Sequence, residues 1–390
     1  MRKLLFQILL FFGLLLISGC HDTLPLPKDN VLSHRTVLVY LAGENSLSYD
    51  LKSDLNEMIE GSNAIPDSCN VLVYYDGLQR PVIYRLLPNR RLVEWYAYGK
   101  DQDSCDSLVM QLALKKMVQA FPSSHYGLIM ASHASGWIPQ KKSLRRSFGI
   151  DDTSNAGTNT GTEMELSTLR GVLETLPHLD YIFFDACFMQ SVETAYELKD
   201  VADWIVASPA EIPGPGAPYH NMMGALCAAD IEGIVNAYHS YYPKSVFSGV
   251  VLSAVCTEFL KELAFQTTPH IIRLFHEKAE PFTVGIQRYS PVAERFTPCF
   301  DMNSAMAHLL SSEDYADWER TFCKVVPYRP LTSSWYSGYN GGITCHVRDA
   351  AHYGALSFYL PSASPDSEMW NEAFRGTRWY KAAGWNHTSW

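Results

Sequence analysis

The strongest constraint on this chain is an alternation. Over its first 220 residues, short apolar runs rich in β-branched side chains take turns with segments of helical spacing. Residues 36–41 (Thr-Val-Leu-Val-Tyr-Leu) and 70–75 (Asn-Val-Leu-Val-Tyr-Tyr) read as strands. Between them Leu47, Leu51, Leu55, Met58 and Ile59 recur at the intervals of a helix. Residues 82–87 and 91–97 read as a hairpin around Pro88-Asn89, residues 107–120 as a helix, and residues 126–132 as a strand running into His133. A helix at 166–176, a strand at 181–184 running into Asp185-Ala186-Cys187, a helix at 191–198 and a strand at 204–207 continue the series. Strands alternating with helices predict an α/β fold, a three-layer α/β/α sandwich around a mostly parallel sheet. Beyond residue 220 helices dominate, at 231–241, 258–276 and 302–326, with strands at 248–255 and 355–360. No linker separates the halves, so residues 221–390 are expected to be a helix-rich extension packed on a core of residues 36–220.

The first residues do not belong to that pattern. Arg2 and Lys3 precede an apolar stretch from Leu4 to Ile17, which closes on Ser18-Gly19-Cys20. A basic start, a short apolar core and small residues at the exit make a signal peptide over residues 1–19. The core is shorter than the roughly 20 residues that a membrane-spanning helix needs. Ile17-Ser18-Gly19-Cys20 resembles a bacterial lipobox, in which the cysteine becomes the lipidated first residue of the mature protein. Residues 20–35, polar and proline-containing, then read as a tether. The chain is therefore expected to be exported and held by its N-terminal lipid in the bacterial cell envelope, with the outer membrane as its address.

Composition narrows the function. A formal net charge of −10 argues against nucleic acid as a partner, and 47% hydrophobic residues exclude long disorder. No cysteine pair has zinc-ligand or redox spacing, and most of the eight cysteines after Cys20 read as buried thiols. No cofactor is expected, although the sequence leaves calcium dependence open, and a monomer is expected.

Chemistry concentrates at two strand ends. In open parallel sheets, sites lie beyond the carboxyl ends of strands. His133 follows one apolar run and Cys187 another, 54 positions later. If those strands are parallel neighbours, the two residues emerge at one edge. A thiolate is the nucleophile and a nearby imidazole can lower its pKa or carry protons.

The stretches Ser132-His133-Ala134-Ser135-Gly136-Trp137 and Asp185-Ala186-Cys187-Phe188-Met189 resemble the clostripain family of cysteine peptidases. The resemblance extends to 37–45, 54–58, 196–199, 207–219 and 356–361, nearly the whole mature chain. It implies the caspase-like fold shared with gingipains and legumains, and peptide hydrolysis through an acyl-enzyme. It gives Cys187 as nucleophile, His133 as acid and base, and the backbone N–H groups of Ala134 and Cys187 as the oxyanion hole. The family usually has glycine where Ala134 stands; alanine keeps the N–H but tolerates a positive φ poorly. Asp185 precedes Cys187 by two residues and so shares its strand face. By resemblance an acid there lies at the floor of the pocket for the residue before the cut, which favours arginine or lysine and substrates with basic residues. Glu211, in a Pro-rich loop at 209–218, is a second candidate acid.

Residues 140–165 are polar and read as a long loop carrying Lys141-Lys142 and Arg145-Arg146. These four residues match the proposed specificity and are candidate points of self-cleavage, which the resemblance also implies. Two other readings use the same residues: a transpeptidase, or an inactive scaffold that binds ligands at the envelope through Trp95, Trp335, Tyr336 and Tyr339.

Overall fold

Apolar runs, most of them in the first half, become strands of one eight-stranded sheet, in which residues 253–256, 202–207, 179–185, 123–131, 33–42, 69–76, 82–87 and 91–97 lie side by side in that order. The computed structural model describes residues 32–138, 148–152, 161–242, 247, 249–276, 283–290, 299–338 and 341–390. In chain order the first elements are β1 (Ser33–Ala42), α1 (Ser48–Gly61), β2 (Cys69–Asp76), β3 (Val82–Leu87), β4 (Arg91–Ala97), α2 (Ser107–Ala120) and β5 (Ser123–Ala131). Next come β6 (Phe148–Asp151), β7 (Thr162–Met164), α3 (Leu166–Leu173), β8 (Leu179–Asp185), α4 (Val192–Leu198), β9 (Ala202–Ala207), α5 (Tyr219–Ala228) and α6 (Ile231–Tyr241). The remainder are β10 (Ser253–Cys256), α7 (Leu260–Phe275), β11 (Cys299–Asp301), α8 (Met302–Leu309), α9 (Ser312–Val325), β12 (Ser334–Ser337), β13 (Ile343–His346), β14 (Ser357–Tyr359), α10 (Glu368–Arg375) and α11 (Arg378–Ala382). Leu32–Trp390 form one compact unit.

The sheet is parallel at its centre, where β1 pairs with β2 and β5, and β8 pairs with β5 and β9. It is antiparallel at both edges, through β3, β4 and β10. Strand alternation sends side chains to two separate cores. Leu38, Tyr40, Leu128, Met130, Ile182 and Phe184 face one layer, which includes α2, α3, α4, α7, α8 and α9. Val37, Val39, Leu41, Ile129 and Phe183 face the other, made by α1, α5 and α6. This is the expected three-layer α/β/α arrangement.

Three sequence expectations change in detail. Residues 302–326 form two helices, not one, because Leu310 is extended and Ser311 caps the second, its Oγ accepting from the Asp314 N–H at 3.2 Å. The polar stretch 140–165 is not loop throughout: Phe148 pairs with Met164 and Asp151 with Thr162 in a small antiparallel ribbon. Phe148 and Ile150 are buried, which supplies the driving force for that ribbon. The expected strand at 248–255 forms only as Ser253–Cys256. The signal segment, Cys20 and the pairs Lys141-Lys142 and Arg145-Arg146 lie outside the described residues.

Phe183 ties the sheet to the site described below. It is fully buried, and its ring lies 6.5 Å from that of Tyr219 and 6.4 Å from that of Tyr238. Phe183→Ala should therefore cost about 3–5 kcal/mol, read as a lower midpoint in urea unfolding; an unchanged midpoint would show that this face of the sheet is not tightly packed.

Candidate active site

β5 and β8 are parallel neighbours with Ala131 opposite Asp185. His133 and Cys187 each stand two residues beyond that pair, so they leave the sheet level with each other at its carboxyl edge. Both are half-buried.

The loop after β5 is fixed by β6. The Gly149 N–H donates to the His133 carbonyl at 2.9 Å, and Ala134 is bridged antiparallel to Phe148. That hydrogen bond is made by the neighbours of the bridged pair, so the N–H and C=O of Ala134 itself point off the ladder. Ala134 is not among the residues with positive φ. The difficulty alanine would have had with a positive φ therefore does not arise. Ser46 Oγ lies 2.9 Å from His133 Nε2. The segment carrying Ser46 is held by Asn45, whose Nδ2 donates to the carbonyls of Ala42 at 3.0 Å and Ile150 at 2.8 Å, while its Oδ1 accepts from the Leu47 N–H at 2.8 Å.

The loop after β8 turns sharply at Phe188, which has φ +59. Its N–H donates to the Ala210 carbonyl and that of Gln190 to the Ser208 carbonyl, both at 3.0 Å. The two loops meet at Gly136. With φ +66 it sits so close that a Cβ there would lie 2.6 Å from the Phe188 carbonyl oxygen. Only glycine fits that approach without a shift of backbone.

Cys187 Sγ accepts from the Ile212 N–H at 3.4 Å. Burial of the sulfur pushes the thiol up to about 12, helped by the charges of Glu211 and Asp185 and opposed by the Ile212 N–H. The thiol is thus neutral in this state at ordinary pH.

Asp185 is buried and hangs from the Pro-rich loop. Its Oδ2 accepts from the Ala217 N–H and from the Tyr219 hydroxyl, each at 2.9 Å, while Oδ1 has no partner. Gly216, φ +64, clears the space, since a Cβ there would lie 2.7 Å from Oδ2. Burial pushes Asp185 up to about 6, against the pull of these two donors. Asp54 of α1 is a second buried carboxyl facing Asp185: both its oxygens lack partners, and burial first, then Asp185, holds it well above the usual carboxylate range. Glu211 is turned elsewhere and accepts from Ser337 Oγ of β12. Of the aromatics considered from sequence, Trp335 is buried, Trp95 and Tyr336 are half-buried with their rings against Phe121 and Phe247, and Tyr339 lies outside the described residues. Glu44, Asp76 and Asp151 bring one carboxylate oxygen each within 4.8 Å of the others.

Sequence reading missed Ser46, Asp54, Ala217 and Tyr219. The run Pro213-Gly214-Pro215-Gly216-Ala217-Pro218 carried the one usable signal, a backbone shaped to approach something closely.

Known proteins resemble this chain over nearly its whole length. The model of the clostripain family matches residues 39–390. A secreted C11 cysteine protease from Bacteroides thetaiotaomicron, solved in complex with an irreversible peptide inhibitor, is 31% identical; the match covers 90% of this chain and 99% of that one, with a TM-score of 0.78. An inactive zymogen C11 protease from Parabacteroides distasonis is 29% identical, with 91% and 99% covered and a TM-score of 0.76. No curated protein sequence matches the chain.

The Gly136 contact yields a direct test. Gly136→Ala should destabilise by about 1–3 kcal/mol, because both the positive φ and the Phe188 carbonyl oppose it. Gly171→Ala, in α3 with nothing within 4 Å of the new Cβ, should be neutral or stabilise by up to about 1 kcal/mol. Thermal unfolding of the two variants checks this; equal effects would remove Gly136 as the joint between the loops.

Proposed function

The chain belongs to the clostripain family and is a cysteine-type peptidase acting on proteins or peptides, and from that premise we propose a lipid-anchored endopeptidase that cuts after arginine or lysine through Cys187 and His133. The observation that carries the reading is the β5–β8 register, with His133 and Cys187 each two residues beyond the register partners Ala131 and Asp185.

The mechanism follows from the groups at that edge. The Cys187 thiol is neutral at rest, so it becomes a nucleophile by giving its proton to His133 as Sγ attacks the scissile carbonyl carbon. The carbonyl oxygen gains negative charge and is met by the N–H groups of Ala134 and Cys187. His133 passes the proton to the leaving amine, which departs and leaves a thioester. His133 then takes a proton from water as the water oxygen attacks the thioester. Collapse returns the proton to Sγ and frees the acid product.

Asp185 supplies the specificity. A cationic side chain that reaches its unpartnered Oδ1 gains a charge-assisted hydrogen bond in a buried setting. The Ala217 and Tyr219 donors orient the carboxylate from behind. Glu211, tied to Ser337, is the weaker candidate. Self-cleavage after Lys141, Lys142, Arg145 or Arg146 fits the same pocket, and the Ala134–Phe148 bridge brings the end of that segment beside the His133 loop. Export and anchoring rest on the N-terminal signal and Cys20; among the described residues no helix is long and apolar enough to cross a membrane.

The test is kinetic. Cys187→Ala and His133→Ala should each lower turnover of a peptide with arginine before the cut by at least about 1,000-fold while the proteins stay folded. Retained turnover in purified Cys187→Ala would overturn the assignment. Asp185→Asn should lower kcat/KM for arginine and lysine substrates by about 100-fold with little change in unfolding midpoint; a wild-type preference for an apolar residue would refute the pocket.

The pH dependence has a definite sign. Asp185 is ionised above about 6 and neutral below it. Binding of benzamidine, an arginine mimic, to the Cys187→Ala protein should therefore be strong at pH 8 and fade as pH falls through about 6. Calorimetry across that range checks it, and the inflection should vanish in the Asp185→Asn background.

A further inference from the structure

The end of α5 and the start of β2 meet at the amino end of the sheet, opposite the edge that carries His133 and Cys187. Cys69 is the first residue of β2, and Cys227 is the last but one of α5. Both are free thiols, both are buried, and both belong to the core that α1, α5 and α6 make with the sheet. Arg35 of β1 links them. It is the register partner of Cys69, and its Nη1 donates to the Cys227 carbonyl at 2.9 Å. The guanidinium is fixed there by Asp180, whose Oδ2 accepts from Nε at 3.1 Å and from Nη2 at 2.8 Å.

The two side chains are in contact with each other. The Cys227 thiol donates to Cys69 Sγ, and the Cys69 thiol donates in turn to the Asn70 carbonyl at 3.5 Å. The hydrogen bond from Cys227 is the main influence holding Cys69 below the ordinary thiol range; burial opposes it and the Arg35 guanidinium adds to it. Cys227, which gives that hydrogen bond, is raised. In thiol–disulfide exchange the thiolate is the attacking group, so Cys69 is the sulfur that attacks and Cys227 the one that resolves. Access is short. Residues 66–68, directly before Cys69, and Ala228, directly after Cys227, are exposed, so the pair lies just beneath the surface.

We propose that Cys69 and Cys227 are a dithiol pair that closes to a disulfide and pins the end of α5 to β2. Two sulfurs already in hydrogen-bond contact reach the roughly 2.05 Å of a disulfide by side-chain rotation and a slight approach of the helix end. The oxidant is a small disulfide. Cys69 loses its proton to water, its sulfur bonds to one sulfur of the reagent, and the other sulfur leaves as a thiolate that takes up a proton. Cys227 then gives up its proton, bonds to Cys69 Sγ and displaces the second reagent thiolate, which is protonated in turn. The two protein thiols are oxidised and the reagent disulfide is reduced to two thiols. Such donors are met outside the cytosol; that location rests on the export proposed above, whereas the bond itself does not. The bridge spans 158 positions, so closing it removes much of the freedom of the unfolded chain. It also fixes the far end of the helix whose first residue, Tyr219, donates to Asp185.

The experiment maps cysteine connectivity and needs no turnover, so its failure is separable from failure of the peptidase reading. The purified chain is reduced, exchanged into an excess of oxidised glutathione, alkylated under denaturing conditions, digested without reduction and read by mass spectrometry. The peptides carrying Cys69 and Cys227 should appear joined, and dithiothreitol should separate them. The oxidised chain should melt about 5 °C above the reduced one. Cys227→Ala should lose both the link and the shift; if that variant does not fold, the wild-type map and melting curves decide alone. Cys69 and Cys227 both alkylated after exposure to the oxidant would overturn the proposal. So would glutathione on either sulfur in place of the link, or a link from either to another cysteine. A joined chain that melts no higher than the reduced one would overturn the pinning of α5.

Discussion

The pairing of β5 with β8 is the contact on which the rest of the molecule depends. Both strands are buried on both faces, with Leu128, Ile129, Met130, Ile182 and Phe183 fully enclosed. Burial on two faces specifies register strongly, because a slip of one residue exchanges every side chain between the two cores. The same slip would carry Asp185 from the face of Tyr219 to the opposite face, and would put Cys187 out of level with His133. The packing that makes the sheet therefore also fixes the chemistry at its edge, and the contact of Gly136 with the Phe188 carbonyl repeats that constraint one turn further out.

The two ends of the sheet treat charge differently. At the amino end, Arg35 sits partly buried with Nε and Nη2 on Asp180 Oδ2 at 3.1 and 2.8 Å, so a carboxylate there is neutralised by a guanidinium. At the carboxyl end, among the described residues, Asp54, Asp185, Glu44, Asp76 and Asp151 have no such partner. Unpaired buried acids are costly to a fold. Their concentration at one edge sets the two ends of the sheet apart.

Much of this was legible in the sequence, and the boundary is physical. The strands of the centre were readable because a parallel sheet covered on both faces needs continuous apolar runs, as in residues 36–41 and 126–132. His133 and Cys187 were readable because each ends such a run. The periodicity of a strand put Asp185 on the face of Cys187. What held Asp185 was not readable, since Ala217 and Tyr219 come from a loop more than thirty residues on and depend on Gly216 at positive φ. Ser46 reaches His133 across 87 positions, and the Glu44 cluster gathers three elements with no local spacing at all. The break at Leu310 was hidden because Ser311 sits inside an otherwise continuous helical pattern and only its side-chain bond to the Asp314 N–H shows that it is a cap.

The measurement that bears most directly on the central claim is the site of covalent capture. An irreversible peptide probe with an arginine head, incubated with the folded chain and followed by peptide mass spectrometry, should modify Cys187 alone, and His133→Ala should suppress the reaction. The exposed thiol of Cys323 serves as the internal control for simple reactivity. Labelling of Cys323 with Cys187 untouched, or equal labelling of Cys187 by a probe with an apolar head, would contradict the account.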